Sequence, residues 1–144
     1  MVLNGKITVG LFGTCENTNW REEFIKLLND DIETFNPVVN NWNEEAKRNE
    51  EYHRKNDDYI LFVITPNMVG VYSIAEAVDM SNKRPDRVLF LYTKVDYNID
   101  KGVTKFTDKQ INSLEEVKKL IKNNGSKVFD SLEEASQFIN SKKK

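Results

Sequence analysis

Apolar residues in this chain fall into five short runs, and each run is followed by a stretch with helical spacing. Two of the runs, YILFVIT and VLFLYT, are continuous rather than alternating, which is typical of parallel strands buried on both faces. Pro37 cannot donate a ladder hydrogen bond, so the second run is expected at a sheet edge or a bend. The pattern predicts strands at residues 6–13, 33–40, 58–65, 87–93 and 127–129.

The intervening segments place apolar residues three or four positions apart. Trp20, Phe24, Leu27 and Leu28 form one such stripe, and further helices are predicted at residues 43–56, 73–82, 108–124 and 131–142. Repeated strand–helix units with right-handed crossovers give an α/β fold. We expect one domain over residues 1–144, a three-layer, doubly wound, five-stranded parallel sheet with the flavodoxin-like strand order 2-1-3-4-5.

Local signals refine the helix ends. Gly125 is expected at the C′ position of the fourth helix, and Ser131 with Glu134 has capping-box spacing. Capping is also a sufficient structural explanation for Asn17 or Asn19 before the first helix, and for Ser73-x-x-Glu76. The polar stretch 95–106 fits a lid or a long solvated loop, and we favour the loop.

Composition narrows the classes of function. The 144 residues carry a net charge of −2, which does not suit a dedicated nucleic-acid binder. One cysteine and one histidine argue against a disulfide and a zinc site, and His53 is expected to face solvent. The longest apolar run is too short to span a bilayer, and no leader segment is recognised. We predict a cytoplasmic protein without metal or cofactor.

Ligands in such sheets bind beyond the carboxyl ends of the strands, beside the switch between strands 1 and 3. This rule selects the loops at residues 13–19 and 65–73. The first loop matches neither the P-loop nor the G-x-G-x-x-G pattern, and neither loop has the acidic residues of a phosphoacceptor receiver. Arg21 can pair with a ligand phosphate or with a neighbouring carboxylate. Glu76, near the start of the third helix, can act as a glycosidic nucleophile.

Three segments of the sequence together resemble a known family. They are KITVGLFGTCENTNWREEF, FNPVVNNWNEEAKR and DDYILFVITPNMVGVYSIAEAV. In order and spacing they resemble the nucleoside 2-deoxyribosyltransferase-like family, in its short bacterial and phage branch. The similarity covers about residues 6 to 94. It implies a flavodoxin-like fold and cleavage or transfer at an N-glycosidic bond through a glutamate nucleophile.

Carried onto this chain, the resemblance assigns the nucleophile to Glu76. It implies a binding site for a nucleoside or nucleotide around Gly13, Thr14, Cys15, Asn17, Arg21, Trp42, Pro66, Asn67, Tyr72 and Ser73. The family's transferases generally have an aspartate about six residues before the nucleophile. Residues 70–73 hold no carboxylate, which leaves Glu16, Tyr72 and Asp79 as substitutes for the acid that protonates the departing base.

Three functions therefore stay open. The first is an N-glycosidase or (deoxy)ribosyltransferase acting on a nucleoside, a nucleotide or a related ribosylated metabolite. The second is a non-catalytic nucleotide-binding module that senses or sequesters its ligand. The third is an NAD glycohydrolase similar to TIR-type enzymes, which use a comparable sheet and a glutamate. All three predict a small-molecule partner, no nucleic acid and no membrane, and the family resemblance adds a homo-oligomer.

Overall fold

Five parallel strands form the central sheet of the computed structural model, which describes residues 5–143. The strand order is β2-β1-β3-β4-β7, which confirms the predicted 2-1-3-4-5 order once an inserted hairpin is set aside. Phe12 of β1 pairs with Phe62 of β3, and Ile64 of β3 pairs with Tyr92 of β4. The strands of this sheet are β1 Ile7–Gly13, β2 Ile32–Phe35, β3 Tyr59–Ile64, β4 Val88–Tyr92 and β7 Lys127–Val128.

Helices cover both faces of the sheet, because β3 and β4 bury side chains on both sides. The helices are α1 Trp20–Leu27, α2 Glu44–Asn56, α3 Tyr72–Lys83, α4 Asp108–Asn123 and α5 Leu132–Asn140. One core contains Phe62 and Phe90 with residues of α3 and α4, and the opposite core contains Leu61 and Leu89 with residues of α1 and α5. The predicted three-layer α/β architecture is confirmed. None of the described helices has the length and apolar character needed to cross a membrane.

The second strand is shorter than the sequence predicts. It ends at Phe35 rather than at residue 40, and the chain continues as an irregular segment through Pro37. Pro37 lacks the N–H that a ladder needs, so it cannot extend the parallel pairing with β1. Val38 and Val39 are consequently exposed instead of joining the core.

The preference for a solvated loop at residues 95–106 is wrong. Val95–Asn98 and Gly102–Lys105 form an antiparallel hairpin, β5 and β6, beside the sheet. Asn67, in the loop after β3, holds this hairpin in place. Its side-chain amide donates to the carbonyl of Tyr97 at 3.0 Å, and its oxygen accepts from Thr104 at 2.7 Å.

His53 does not face solvent as predicted. Its ring stacks on Phe35 of β2 with centroids 3.8 Å apart, and its Nδ1 lies 2.8 Å from Oδ1 of the buried Asp57. Burial raises the pKa of Asp57, while His53 opposes that shift. The neighbouring Asp58 has a structural role, because its carboxylate accepts from the backbone and hydroxyl of Thr8.

Of the two predicted helix-end signals, the one at Gly125 is confirmed and the one at Ser131 is confirmed in part. Gly125 has φ +105° and donates to Lys122, while Ser126 donates to Ile121, which together form a Schellman motif. Ser131 accepts from the backbone of Glu134 and caps α5. The Glu134 carboxylate accepts from Asp130 rather than from Ser131, so the capping box itself is not formed.

Candidate functional site

A cleft lies at the carboxyl ends of β1 and β3, where ligands are expected to bind in a sheet of this type. It consists of two adjoining cavities of about 210 and 340 Å³ that share Gly13, Cys15, Glu16, Tyr72 and Ser73. We call this the switch-point cleft. It brings together seven of the eleven predicted site residues, and of these Thr14, Trp42 and Glu76 each line one of its two cavities.

The floor of the cleft depends on a close approach between β1 and β3. Gly13 has φ +115°, and a Cβ built there would lie 2.1 Å from the carbonyl oxygen of Val63. The next residue, Thr14, donates its backbone N–H to the same oxygen at 2.9 Å. Its hydroxyl accepts from the N–H of Thr65 at 3.0 Å. The glycine–threonine turn therefore fastens the two strand ends to each other.

Arg21 is buried beneath this turn and does not line the cleft. It is only 4% exposed, and its guanidinium donates to the carbonyls of Leu11 at 2.9 Å and Thr14 at 2.6 Å. The indole N–H of Trp20 donates to the same Thr14 oxygen at 2.8 Å. Burial lowers the pKa of Arg21. The guanidinium holds loop carbonyls, so neither a ligand phosphate nor a carboxylate is its main partner.

Replacing Arg21 with methionine is therefore expected to destabilise the fold by about 2–4 kcal/mol, because buried carbonyls lose charged donors. Urea unfolding followed by circular dichroism measures this change. Arg48 is exposed on α2, and Arg48→Met is the matched control, expected within about 0.5 kcal/mol of the parent. Equal stability losses in the two variants would contradict a structural role for Arg21.

Three other predicted residues lie outside the cleft lining. Asn67 is buried, and its amide also donates to the carbonyl of Asn17 at 2.6 Å, so it connects both loops to the hairpin. Asn17 has φ +54° and borders a separate small cavity with Tyr97 and Ile99. Pro66 is half-buried behind this turn. These residues shape the loops rather than the walls of the switch-point cleft.

Glu76 lies in the second turn of α3, as its fifth residue, and its side chain is only 11% exposed. The predicted Ser73–Glu76 capping box is wrong, because the N-cap is Val71 and makes no side-chain cap. Capping does not explain Asn19 either, since its side chain makes no cap to α1. Glu76 is thus free of a capping role, and its carboxylate lines the larger cavity.

Arg54 of α2 is the main partner of Glu76. Its Nε lies 3.0 Å from Oε2 of Glu76, and its Nη2 also pairs with Glu50. The guanidinium carbon lies 5.4 Å from the ring centroid of Phe12. Burial raises the pKa of Glu76, and the Arg54 charge opposes that shift. The sequence gives only the i,i+4 spacing of Glu50 and Arg54, which is typical of a solvated helix face.

Aromatic and apolar side chains form the mouth of the larger cavity. Trp42, after β2, is 59% exposed, and Tyr72, the first residue of α3, is 75% exposed. Val38 and Val39 lie beside Trp42 in the same lining. Exposed aromatics at a cavity mouth offer flat surfaces for a heterocyclic ring. Trp42 therefore lies where its ring can stack on such a heterocycle.

The three candidates for the acid that protonates the departing base, Glu16, Tyr72 and Asp79, do not all lie in the cleft. Glu16 and Tyr72 both line the cleft, at its two sides. Asp79 is outside the described lining and pairs with Lys83 at 2.8 Å on the exposed face of α3. Cys15 borders both cavities, with its thiol donating to the carbonyl of Gly13 at 3.2 Å.

Another cavity, separate from the switch-point cleft and with a volume of about 840 Å³, opens beyond β4 and β7, between α4 and the start of α5. Tyr92 and Glu115 share a hydrogen bond there, and Lys118 pairs with Asp130. None of the predicted site residues lines it. Among residues 5–143, no cluster of three or more His, Cys, Asp or Glu side chains is arranged to hold a metal ion.

Comparison with protein-family models and curated proteins identifies no relative. No protein-family model matches the chain, and no curated protein matches it.

Proposed function

We propose that the switch-point cleft cleaves or transfers an N-glycosidic bond of a nucleoside-like ligand, with Glu76 as the nucleophile. The observation that carries this proposal is the position of the Glu76 carboxylate, largely buried in the wall of a cavity at the carboxyl ends of β1 and β3. Arg54 contacts Oε2, which leaves Oε1 as the oxygen for attack on C1′. Membership of the nucleoside 2-deoxyribosyltransferase-like family, a homo-oligomer and a cytoplasmic location belong to the same proposal.

The roles of the other residues follow from their positions. Trp42 and Tyr72 frame the base at the mouth of the cavity, and Ser73 and the Gly13–Thr14 turn lie closer to the sugar. A carboxylate nucleophile forms a covalent glycosyl ester, which water or a second base then resolves. Arg54 keeps a positive charge beside Glu76 and so favours its ionised, nucleophilic form.

The second candidate is a binding module without chemistry. It is favoured by the absence of a carboxylate at residues 70–73 and by the ion pair that already holds Glu76. An NAD glycohydrolase is the third candidate, because it also needs a glutamate in a cleft of this type.

One experiment separates the candidates. The chain is incubated with nucleosides, their 5′-monophosphates and NAD, and base release is followed by chromatography while melting temperature is measured in parallel. Base release together with a sugar ester on the Glu76 peptide, detected by mass spectrometry after rapid denaturation, supports the proposal. Thermal stabilisation without any product supports the binding module instead. Nicotinamide release from NAD alone supports the glycohydrolase.

A further inference from the structure

The charges around the switch-point cleft are predominantly negative. Of the described residues that line it, Glu16, Glu50 and Glu76 are acidic, and none is lysine, arginine or histidine. Two arginines adjoin these residues and already have partners, since Arg21 holds the carbonyls of Leu11 and Thr14 and Arg54 pairs with Glu50 and Glu76. Three carboxylates therefore line the cleft, and two of them share the charge of one guanidinium. A ligand phosphate in this cleft would meet like charge, and no described lining residue is a cation that could receive it.

The mouth of the same cleft suits a flat cation. Trp42 and Tyr72 expose aromatic rings within a lining that also holds Glu16 and Glu50. Aromatic faces attract positive charge through their quadrupole, and the attraction strengthens where water is partly displaced. Val38 and Val39 add apolar surface beside Trp42. This combination of rings, carboxylates and apolar surface matches a heteroaromatic base that carries a delocalised positive charge.

The chemistry of the leaving group points the same way. A neutral base departs with a full electron pair and usually needs a proton from an enzyme acid. Residues 70–73, where that acid would be expected, contain no carboxylic acid. A base that is already cationic at its ring system becomes neutral when the glycosidic bond breaks. It therefore needs no proton from the protein.

We propose that the switch-point cleft takes nucleosides without phosphate whose base is cationic, of the pyridinium or N7-alkylated purine class. This inference rests on the proposed N-glycosidic function and names its substrate class. In the first step Oε1 of Glu76 bonds to C1′, and the electron pair of the C1′–N bond neutralises the departing base. Water then attacks C1′, frees the sugar and restores the Glu76 carboxylate, and its proton passes to solvent.

The bound cation also acts on the nucleophile. Burial raises the pKa of Glu76, and its acidic neighbours Glu50 and Asp79 raise it further. A positive base in the cleft offsets both effects and stabilises the ionised carboxylate. The positive charge of the base and the negative charge of the Glu76 carboxylate thus stabilise each other within one cavity.

Matched substrates test this proposal on the full chain. 7-Methylguanosine is compared with guanosine, and nicotinamide riboside with its reduced, uncharged form, with each rate divided by the uncatalysed rate. We expect the normalised kcat/KM of each cation to exceed that of its neutral partner by about tenfold or more. The 5′-monophosphate of each cation should be cleaved at least about tenfold less efficiently than the nucleoside. Equal normalised rates, or a preference for the monophosphates, would overturn the proposal.

A matched pair of variants tests the contribution of the acidic lining. Glu16→Gln removes a carboxylate from the cleft, whereas Glu22→Gln removes one from the exposed face of α1. Only Glu16→Gln should raise KM for 7-methylguanosine, by about three- to tenfold more than it raises KM for guanosine. A selective loss of kcat on guanosine would identify Glu16 as a general acid and contradict the inference.

Different outcomes would show that the substrate class is wrong and that the proposed function is wrong. If guanosine is cleaved through Glu76 and the cations are not, the substrate class is wrong and the N-glycosidic function stands. If the cations raise the melting temperature more than their neutral partners but nothing is cleaved, the proposed function fails. The cation preference of the cleft would then hold for a binding module.

Discussion

Glu76→Gln is expected to reduce kcat/KM by about 10³-fold or more for any nucleoside that the parent chain cleaves. The amide keeps the shape of the side chain but loses the charge that attacks C1′, and removal of a nucleophile typically costs at least this much. The measurement is base release under single-turnover conditions, with folding checked by circular dichroism. The glycosyl ester on the Glu76 peptide should disappear together with turnover.

The control for this variant lies three residues further along the same helix. Asp79 is an exposed carboxylate paired with Lys83, outside the described cleft lining, so Asp79→Asn should keep activity within about twofold. Glu76→Gln with activity equal to that of Asp79→Asn would show that Glu76 serves only as the ion-pair partner of Arg54. A melting temperature far below that of the parent would indicate the same structural role.

The sheet could be predicted from the sequence because the apolar pattern of its central strands is compatible with few arrangements. Residues such as Leu61 and Phe62 are apolar at successive positions, and both faces of β3 must therefore be covered by helices. The β5–β6 hairpin could not be predicted in the same way. Its strands span only four residues each and are largely exposed, and its position depends on Asn67, about thirty residues earlier in the chain.

The position of the candidate site could be predicted, but the environment of its charges could not. The switch-point rule selects the loops that border the cleft, and the resemblance selects Glu76. Arg54 was missed because it stands in a run of charged residues, and its contact with Glu76 joins two helices that are separate in sequence. Arg21 was misinterpreted because the carbonyls that bury it come from the strand end and turn before α1.

Gly13→Ala is expected to have the largest effect on stability, about 4 kcal/mol or more. The new Cβ would lie 2.1 Å from the carbonyl oxygen of Val63 and 2.7 Å from its nitrogen, and the φ of +115° is itself unfavourable for alanine. Both contacts are with backbone of a central strand, so the clash cannot be relieved by rotating a side chain. Urea unfolding and the folded fraction by circular dichroism measure the loss.

Gly70→Ala is the matched control, since a Cβ at Gly70 meets nothing within 4 Å. It lies in the loop after β3 and should leave stability within about 0.5–1 kcal/mol of the parent. A loss of less than about 1 kcal/mol in Gly13→Ala would contradict the close approach of the two strand ends. That approach also positions Thr14, whose N–H donates to the same Val63 oxygen that the new Cβ would strike. Any folded fraction of Gly13→Ala should therefore have a displaced cleft floor and lose ligand binding along with stability, whereas a defect in chemistry alone would leave binding intact.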